Sequence, residues 1–293
     1  MDHATDNPFM RAENGRRRAV AFFRVLGFAA ILAGLFFAAG FSLRHFLKSL
    51  HSFEDLAFAG ELIAAACTVI ATIVMAGLTG RKFGDFGFSK PNWWRNLLIG
   101  FLAGIAFLAV QLAAMNALGV FSFGGITAAA APLIYSALFC LGLFLAVGFT
   151  EEAMCRGYAL VEMSRVISFW PAAILLSAIF GAAHLLNNGE DQVGAAVAFL
   201  FGIVLSYSFQ QTGSLWLALG LHSGWDYAES FIFGVPNSGL VLTGRLLHPT
   251  MHGPTWLTGG SVGPEGSIFV AAPLLAFVLI SRLLRRRQGA LPR

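Results

Sequence analysis

The sequence predicts an all-α, polytopic membrane protein, a helical bundle of about eight transmembrane helices. Three observations carry that fold class. Of 293 residues, 57% are hydrophobic and only 12% charged, against about 25% charged in an ordinary soluble domain. The apolar residues gather in blocks as long as the roughly 17–25 residues that cross a bilayer. Each block lacks the alternation of a transmembrane β-strand, which leaves helices as the spanning element. The same composition, with 29 Phe and a mean hydropathy of +0.73, excludes disordered, collagen-like and disulfide-scaffold classes.

In chain order the spans fall at roughly 19–43, 57–79, 97–119, 132–160, 171–187, 193–210, 214–233 and 267–284. Arg16-Arg17-Arg18 lead into the first as they would into a signal sequence. The run from Ala19 to about Leu43 exceeds the 7–15-residue core of a signal peptide, so it reads as an uncleaved helix. The fourth run is too long for one straight crossing and so protrudes or kinks. The chain accordingly divides into a basic cytoplasmic N-terminal segment, 1–18, one transmembrane helical domain, 19–284, and a basic cytoplasmic tail, 285–293. Three dispersed cysteines, Cys67, Cys140 and Cys155, offer neither a disulfide framework nor zinc-ligand spacing.

Lysine and arginine set the sidedness. With the N-terminus inside, Arg11, Arg16–Arg18, Arg81, Lys82, Lys90, Arg95, Arg156, Arg165, Arg282, Arg285–Arg287 and Arg293 are cytoplasmic, 15 of the 19. Arg44, Lys48 and Arg245 lie outside, and Arg24 falls within the first span. This bias places both termini in the cytoplasm and the loop at about 234–266 outside. The net charge of +4 sits at span ends, which argues for a lipid bilayer rather than nucleic acid as the partner.

Ionisable side chains inside apolar spans are costly and mark where function resides. Glu152 and Arg156 are spaced i, i+4 and can meet on one helix face. That pairing leaves Glu151, about 100° around the helix, as a partly desolvated carboxylate suited to a general base. The plainer alternative is a helix end with solvated charges. His184 follows Phe180-Gly181-Ala182-Ala183 and is either a packing residue or a ligand. His222 and Asp226, again i, i+4, can face a metal or a reacting group, or simply bond to each other. Glu229 lies one turn beyond. His248 and His252 share the spacing, but Pro249 and Pro254 interrupt them.

Helical arithmetic brings these groups together. A hairpin about the turn at Ser164–Trp170 puts Glu151 and His184 at one depth, each about 24 Å from the turn. His222 and Asp226 follow the turn near Gly213 by about 14 and 20 Å. All four residues are therefore expected around one polar cavity in the outer half of a bilayer core about 30 Å thick.

The motifs Glu-Glu-x-x-x-Arg (151–156), Phe-x-x-x-His (180–184) and His-x-x-x-Asp (222–226) resemble those of the CAAX-protease and bacteriocin-processing family, also called the Abi family. Thr212-Gly213-Ser214-Leu215-Trp216 has the look of the stretch that precedes the family's final motif. The protease-like core would be 130–234. The resemblance implies a type II CAAX prenyl protease fold and an intramembrane endopeptidase. Glu151 with His184 would activate water, and His222 with Asp226 would bind the oxyanion or a metal. Glu152, Arg156 and Phe180 would support the site. A two-His, one-carboxylate zinc set of His184, His222 and Asp226 is one form of the resemblance, and a metal-free glutamate mechanism is the other. The prenyl-protease branch often carries Asn at the position of Asp226, and a neutral amide can donate to an oxyanion where an ionised carboxylate can only accept.

Prenyl proteases act at the cytoplasmic face, whereas the charge bias places this site nearer the outer face. An outward-facing member, as in a bacterial plasma membrane, would take a membrane-associated or exported peptide or protein. Two readings of another kind remain. One is a catalytically silent adaptor or immunity protein, and the other is a transporter, against which the lack of internal repeats counts.

Overall fold

Long runs of Leu, Ile, Ala and Phe satisfy their own backbone in lipid only as helices, and they are helical in the computed structural model of the chain. Pro132, Pro171 and Pro273 sit in first turns, where a missing N–H costs nothing. The structure describes residues 14–89, 91–126, 130–187 and 189–289. Arg11, Lys90 and Arg293, which enter the charge bias, lie outside the described residues, as do most of segment 1–18 and the end of the tail 285–293.

The helices are α1 (Gly15–Ser42), α2 (Arg44–Ser49), α3 (Phe53–Leu78), α4 (Trp93–Ala117), α5 (Ala130–Glu152), α6 (Ala159–Ile167), α7 (Phe169–His184), α8 (Gln192–Thr212), α9 (Trp216–Tyr227), α10 (Thr255–Thr258) and α11 (Ala271–Gly289). Two π-helical segments, Ala153–Tyr158 and Ala228–Phe233, continue α5 and α9. The protein is all-α and polytopic. Among the described residues, five helices are long and apolar enough to cross a bilayer: α1, α3, α4, the continuous run Pro132–Ile167, and α8. The spans expected at 171–187 and 267–284 coincide with shorter apolar helices, Phe169–His184 and Ile268–Leu283, and that at 214–233 with α9 and its π-helical continuation. With its 16 residues, α7 reaches about 24 Å, short of a core about 30 Å thick. The long fourth run does kink. Gly157 leaves helical geometry at φ −76°, ψ −113°.

The chain forms two compact units. The first comprises Met1–Pro91 and Phe149–Leu176. In it α1 packs against α3 and α6. The Tyr158 ring lies 4.9 Å from Phe28 and 4.8 Å from Phe86, centroid to centroid. Ser52 caps α3 by accepting from the Asp55 N–H, which starts that helix four residues before its apolar stretch. The turn expected about Ser164–Trp170 falls at Ser168, between α6 and α7.

The second unit comprises Asn92–Gly148 and Ser177–Arg293. Its core is the crossing of α4 and α9, made by two facing small-residue pairs, Gly100 with Gly104 and Gly220 with Gly224. A methyl at Gly104 would stand 2.6 Å from the Trp225 nitrogen, and one at Gly224 would stand 2.7 Å from Phe101 Cα. The two backbones touch, so van der Waals packing holds the pair where lipid supplies no hydrophobic drive. Leu108, Leu112, Met115, Phe121, Trp225 and Val270 fill the space beside it. Asp191 caps α8 by accepting from Val193 and Gly194, and α11 packs along α8. A short antiparallel pair, β1 (Phe121–Ser122) with β2 (Thr250–Met251), holds part of the segment 234–266.

Burial is inverted relative to a soluble protein. Phe37 is 77% exposed and Leu78 73%, while Glu152, Glu162 and Glu229 are wholly buried. Apolar groups face lipid and the charges are inside.

Candidate active site

In the first unit the end of α5 carries Thr150-Glu151-Glu152 into the π-helical segment. The expected i, i+4 pair forms: Arg156 Nη1 lies 2.9 Å from Glu152 Oε1, with both side chains buried. Removing one partner of such a pair leaves an uncompensated charge, so the pair fixes the helix end on which Glu151 stands half-buried. One and a half turns beyond Arg156, the fully buried Glu162 meets Arg81 at 2.9 Å, Arg165 at 3.3 Å and Arg24 at 3.5 Å. Burial lowers the Arg81 pKa, opposed by the charge of Glu162.

In the second unit the close α4–α9 crossing sets the position of His222 and Asp226. His222 Nε2 stands 3.7 Å from Asp226 Oδ2, an ion-pair distance rather than a hydrogen bond. Phe180 and Phe201 present ring edges to the imidazole at 6.2 and 5.4 Å. Phe180 also packs on His184 at 4.5 Å, so one phenyl ring adjoins both histidines. His184 Nδ1 lies 2.9 Å from the Phe180 carbonyl oxygen. A carbonyl only accepts, so Nδ1 carries the proton and Nε2 of the neutral ring is left as an acceptor.

Farther along α9, Asp226, Glu229 and Glu265 bring one carboxylate oxygen each within 4.8 Å of the others. Among the described residues, this trio is the group of donor atoms gathered to metal-binding spacing; His184 does not complete one with His222 and Asp226. Glu190, in the turn before α8, is raised above its ordinary pKa by burial, with Glu265 adding to the effect and the Asp191 N–H opposing it.

Apolar helices with buried carboxylates, a buried histidine and a buried arginine define a multi-pass membrane protein with polar chemistry in its interior. Residues 132–228 match the family model of type II CAAX prenyl endopeptidase Rce1-like proteins. The resemblance drawn from the three motifs is thus shown over a segment that contains all of them. A comparison with curated proteins gave no match.

Sequence reasoning missed the Glu162 cluster and Glu265. The i, i+3 spacing of Glu162 and Arg165 was a usable signal for the first. Glu265 sits in a Gly-Pro-Glu-Gly turn that carries no periodicity. Two of the three motif-bearing helices, α5 and α9, run directly into π-helical segments, which hydropathy does not reveal and which occur often at functional sites.

Proposed function

We propose that the chain is an intramembrane endopeptidase hydrolysing a peptide bond of a membrane-associated or exported peptide. The observation that carries this reading is the ordered presence of the glutamate, Phe-x-x-x-His and His-x-x-x-Asp motifs within the segment matched by the CAAX prenyl endopeptidase model. Glu151 removes a proton from water, while His184 Nε2 accepts a hydrogen bond from the same water and orients it. The water oxygen adds to the scissile carbonyl carbon, forming a tetrahedral oxyanion. His222 donates a hydrogen bond to that oxyanion, and Asp226 beside it holds the ring and balances its charge. The carbon–nitrogen bond then breaks, and the proton held by Glu151 passes to the leaving amine. Glu152, Arg156 and Phe180 position these groups. These steps follow the metal-free glutamate form of the mechanism; in the other form His184, His222 and Asp226 would hold a zinc ion that polarises the water, with Glu151 still its base. The lysine and arginine bias supports cytoplasmic termini, and a C-terminal reporter active only outside the cytoplasm would reverse that orientation.

The test compares membrane peptides from cells carrying wild-type protein or Glu151→Gln. The variant is nearly isosteric, so cleavage should fall by about 10²-fold or more while folding is spared. Cleavage by purified wild-type protein should persist in 1,10-phenanthroline. Equal cleavage by Glu151→Gln, or no cleavage by wild type with partner binding intact, would reject the protease in favour of an adaptor. Phenanthroline inhibition reversed by zinc would replace the metal-free mechanism.

A further inference from the structure

We propose that Asp226, Glu229 and Glu265 form a binding site for a divalent cation of the calcium class, tying the end of α9 to the segment 234–266. The inference is separate from the protease reading, although Asp226 takes part in both.

The three carboxylates come from two parts of the second unit. Asp226 and Glu229 are i, i+3 across the passage of α9 into its π-helical continuation, and Glu265 stands on the single turn Pro264–Gly266. That turn is fixed in place: the Gln111 amide Nε2 donates to the Pro264 carbonyl oxygen at 2.7 Å, in a buried contact from α4. Ser238 orients Glu265 by donating from its backbone N–H at 3.1 Å and from its hydroxyl at 2.9 Å, both to Oε2. Asn237, next to it, donates to the Asp226 carbonyl oxygen at 3.5 Å. The scaffold therefore holds like charges together rather than letting a loop carboxylate swing away.

Glu229 supplies an independent observation. It is wholly buried, and neither of its carboxylate oxygens has a hydrogen-bond partner. The Trp225 indole N–H lies beside it but falls short of hydrogen-bond geometry. The neighbouring charges that act on Glu229 are Glu265, Asp226 and Glu190, all of one sign. A buried carboxylate so placed lacks a counter-charge, and a cation supplies one.

The donor set selects the cation. Three carboxylates without sulfur or imidazole suit a hard ion. The three oxygens lie within 4.8 Å of one another, close enough to share one ion, and calcium's flexible shell of about 6–8 oxygens tolerates an irregular protein-built set better than magnesium's strict octahedron. The open side of the shell is left for water or carbonyl oxygens.

Terbium ion is the probe, because it replaces calcium at oxygen sites and its emission is excited through a neighbouring indole, here Trp225. Full-length protein in detergent should give tryptophan-sensitised terbium emission that calcium displaces. Glu229→Gln and Glu265→Gln should each weaken terbium binding at least tenfold. Glu265→Gln lies outside the helices and serves if the buried variant does not accumulate. Calcium should also raise the unfolding temperature of wild type over its value in chelator, and neither variant should show that rise. Emission and calcium-dependent stabilisation both absent from wild type, or both retained in the variants, would overturn the site. Those failures leave the Glu151 comparison untouched, so the two readings fall separately.

Discussion

Replacing Gly224 by Ala tests whether the α4–α9 crossing positions the site. The added methyl would stand 2.7 Å from both Cα and the carbonyl carbon of Phe101, with the Phe101 carbonyl oxygen closer still. Carbon atoms in good contact are about 3.5–4.0 Å apart, so the helices must separate by about 1 Å. The obstacle is backbone, which cannot swing aside as a side chain would. Overpacking of this kind costs about 1–3 kcal/mol. Gly224 lies between His222 and Asp226, so the same displacement moves both, and a 1 Å error at a reacting group can cost about 10²-fold in rate. The control is Gly60→Ala in α3, where nothing lies within 4 Å of the new methyl and a helical Gly-to-Ala change gains about 0.5–1 kcal/mol. Thermal unfolding can be followed with a thiol-reactive dye, since Cys67 and Cys140 are buried until the fold opens. Equal midpoints and equal cleavage rates for the two variants would refute the close-packing argument.

Arg156→Leu should destabilise the first unit by about 3–5 kcal/mol by removing a buried counter-charge of Glu152, and adding Glu152→Gln should restore most of the loss; a double variant as unstable as the single one, in denaturant titrations, would show that the pair is not the cause. Glu190 makes stability depend on pH. Its folded pKa is raised above the ordinary 4.5, so its native form is most favoured below that value and loses stability as pH rises through the folded pKa. Glu190→Gln should therefore gain stability relative to wild type with rising pH, and parallel stability–pH curves would contradict that assignment.

What the sequence made legible was whatever depends on spacing along one helix. Glu152 and Arg156 meet because four residues return a helix to the same face, and His222 with Asp226 follows the same rule. The kink near Gly157 was implied by a run too long for one crossing. Chain ends of helices were harder, since α7 stops at His184 where the expected span ran on to 187, and two of the expected crossings coincide with shorter apolar helices. Contacts between distant segments left no periodic trace. Glu265 reaches Asp226 and Glu229 through an irregular segment, and Glu162 gathers arginines from three separate elements. The facing Gly100/Gly104 and Gly220/Gly224 pairs were visible as small residues four apart, yet their partnership belongs to the fold.

The Glu162 cluster has a consequence for how the protein is made. Arg24 lies inside the first span and meets its counter-charge 138 residues later in the chain. At about 5–20 residues per second, translation leaves that arginine without Glu162 for roughly 7–28 s after it is synthesised. During that interval the first helix must carry a guanidinium at the edge of the lipid, and Arg81 emerges into the same wait. The first helix can enter the bilayer and meet α3 early, but its contact with α6 and the counter-charge of Arg24 come only when α6 arrives. One carboxylate thus joins three arginines made at different times.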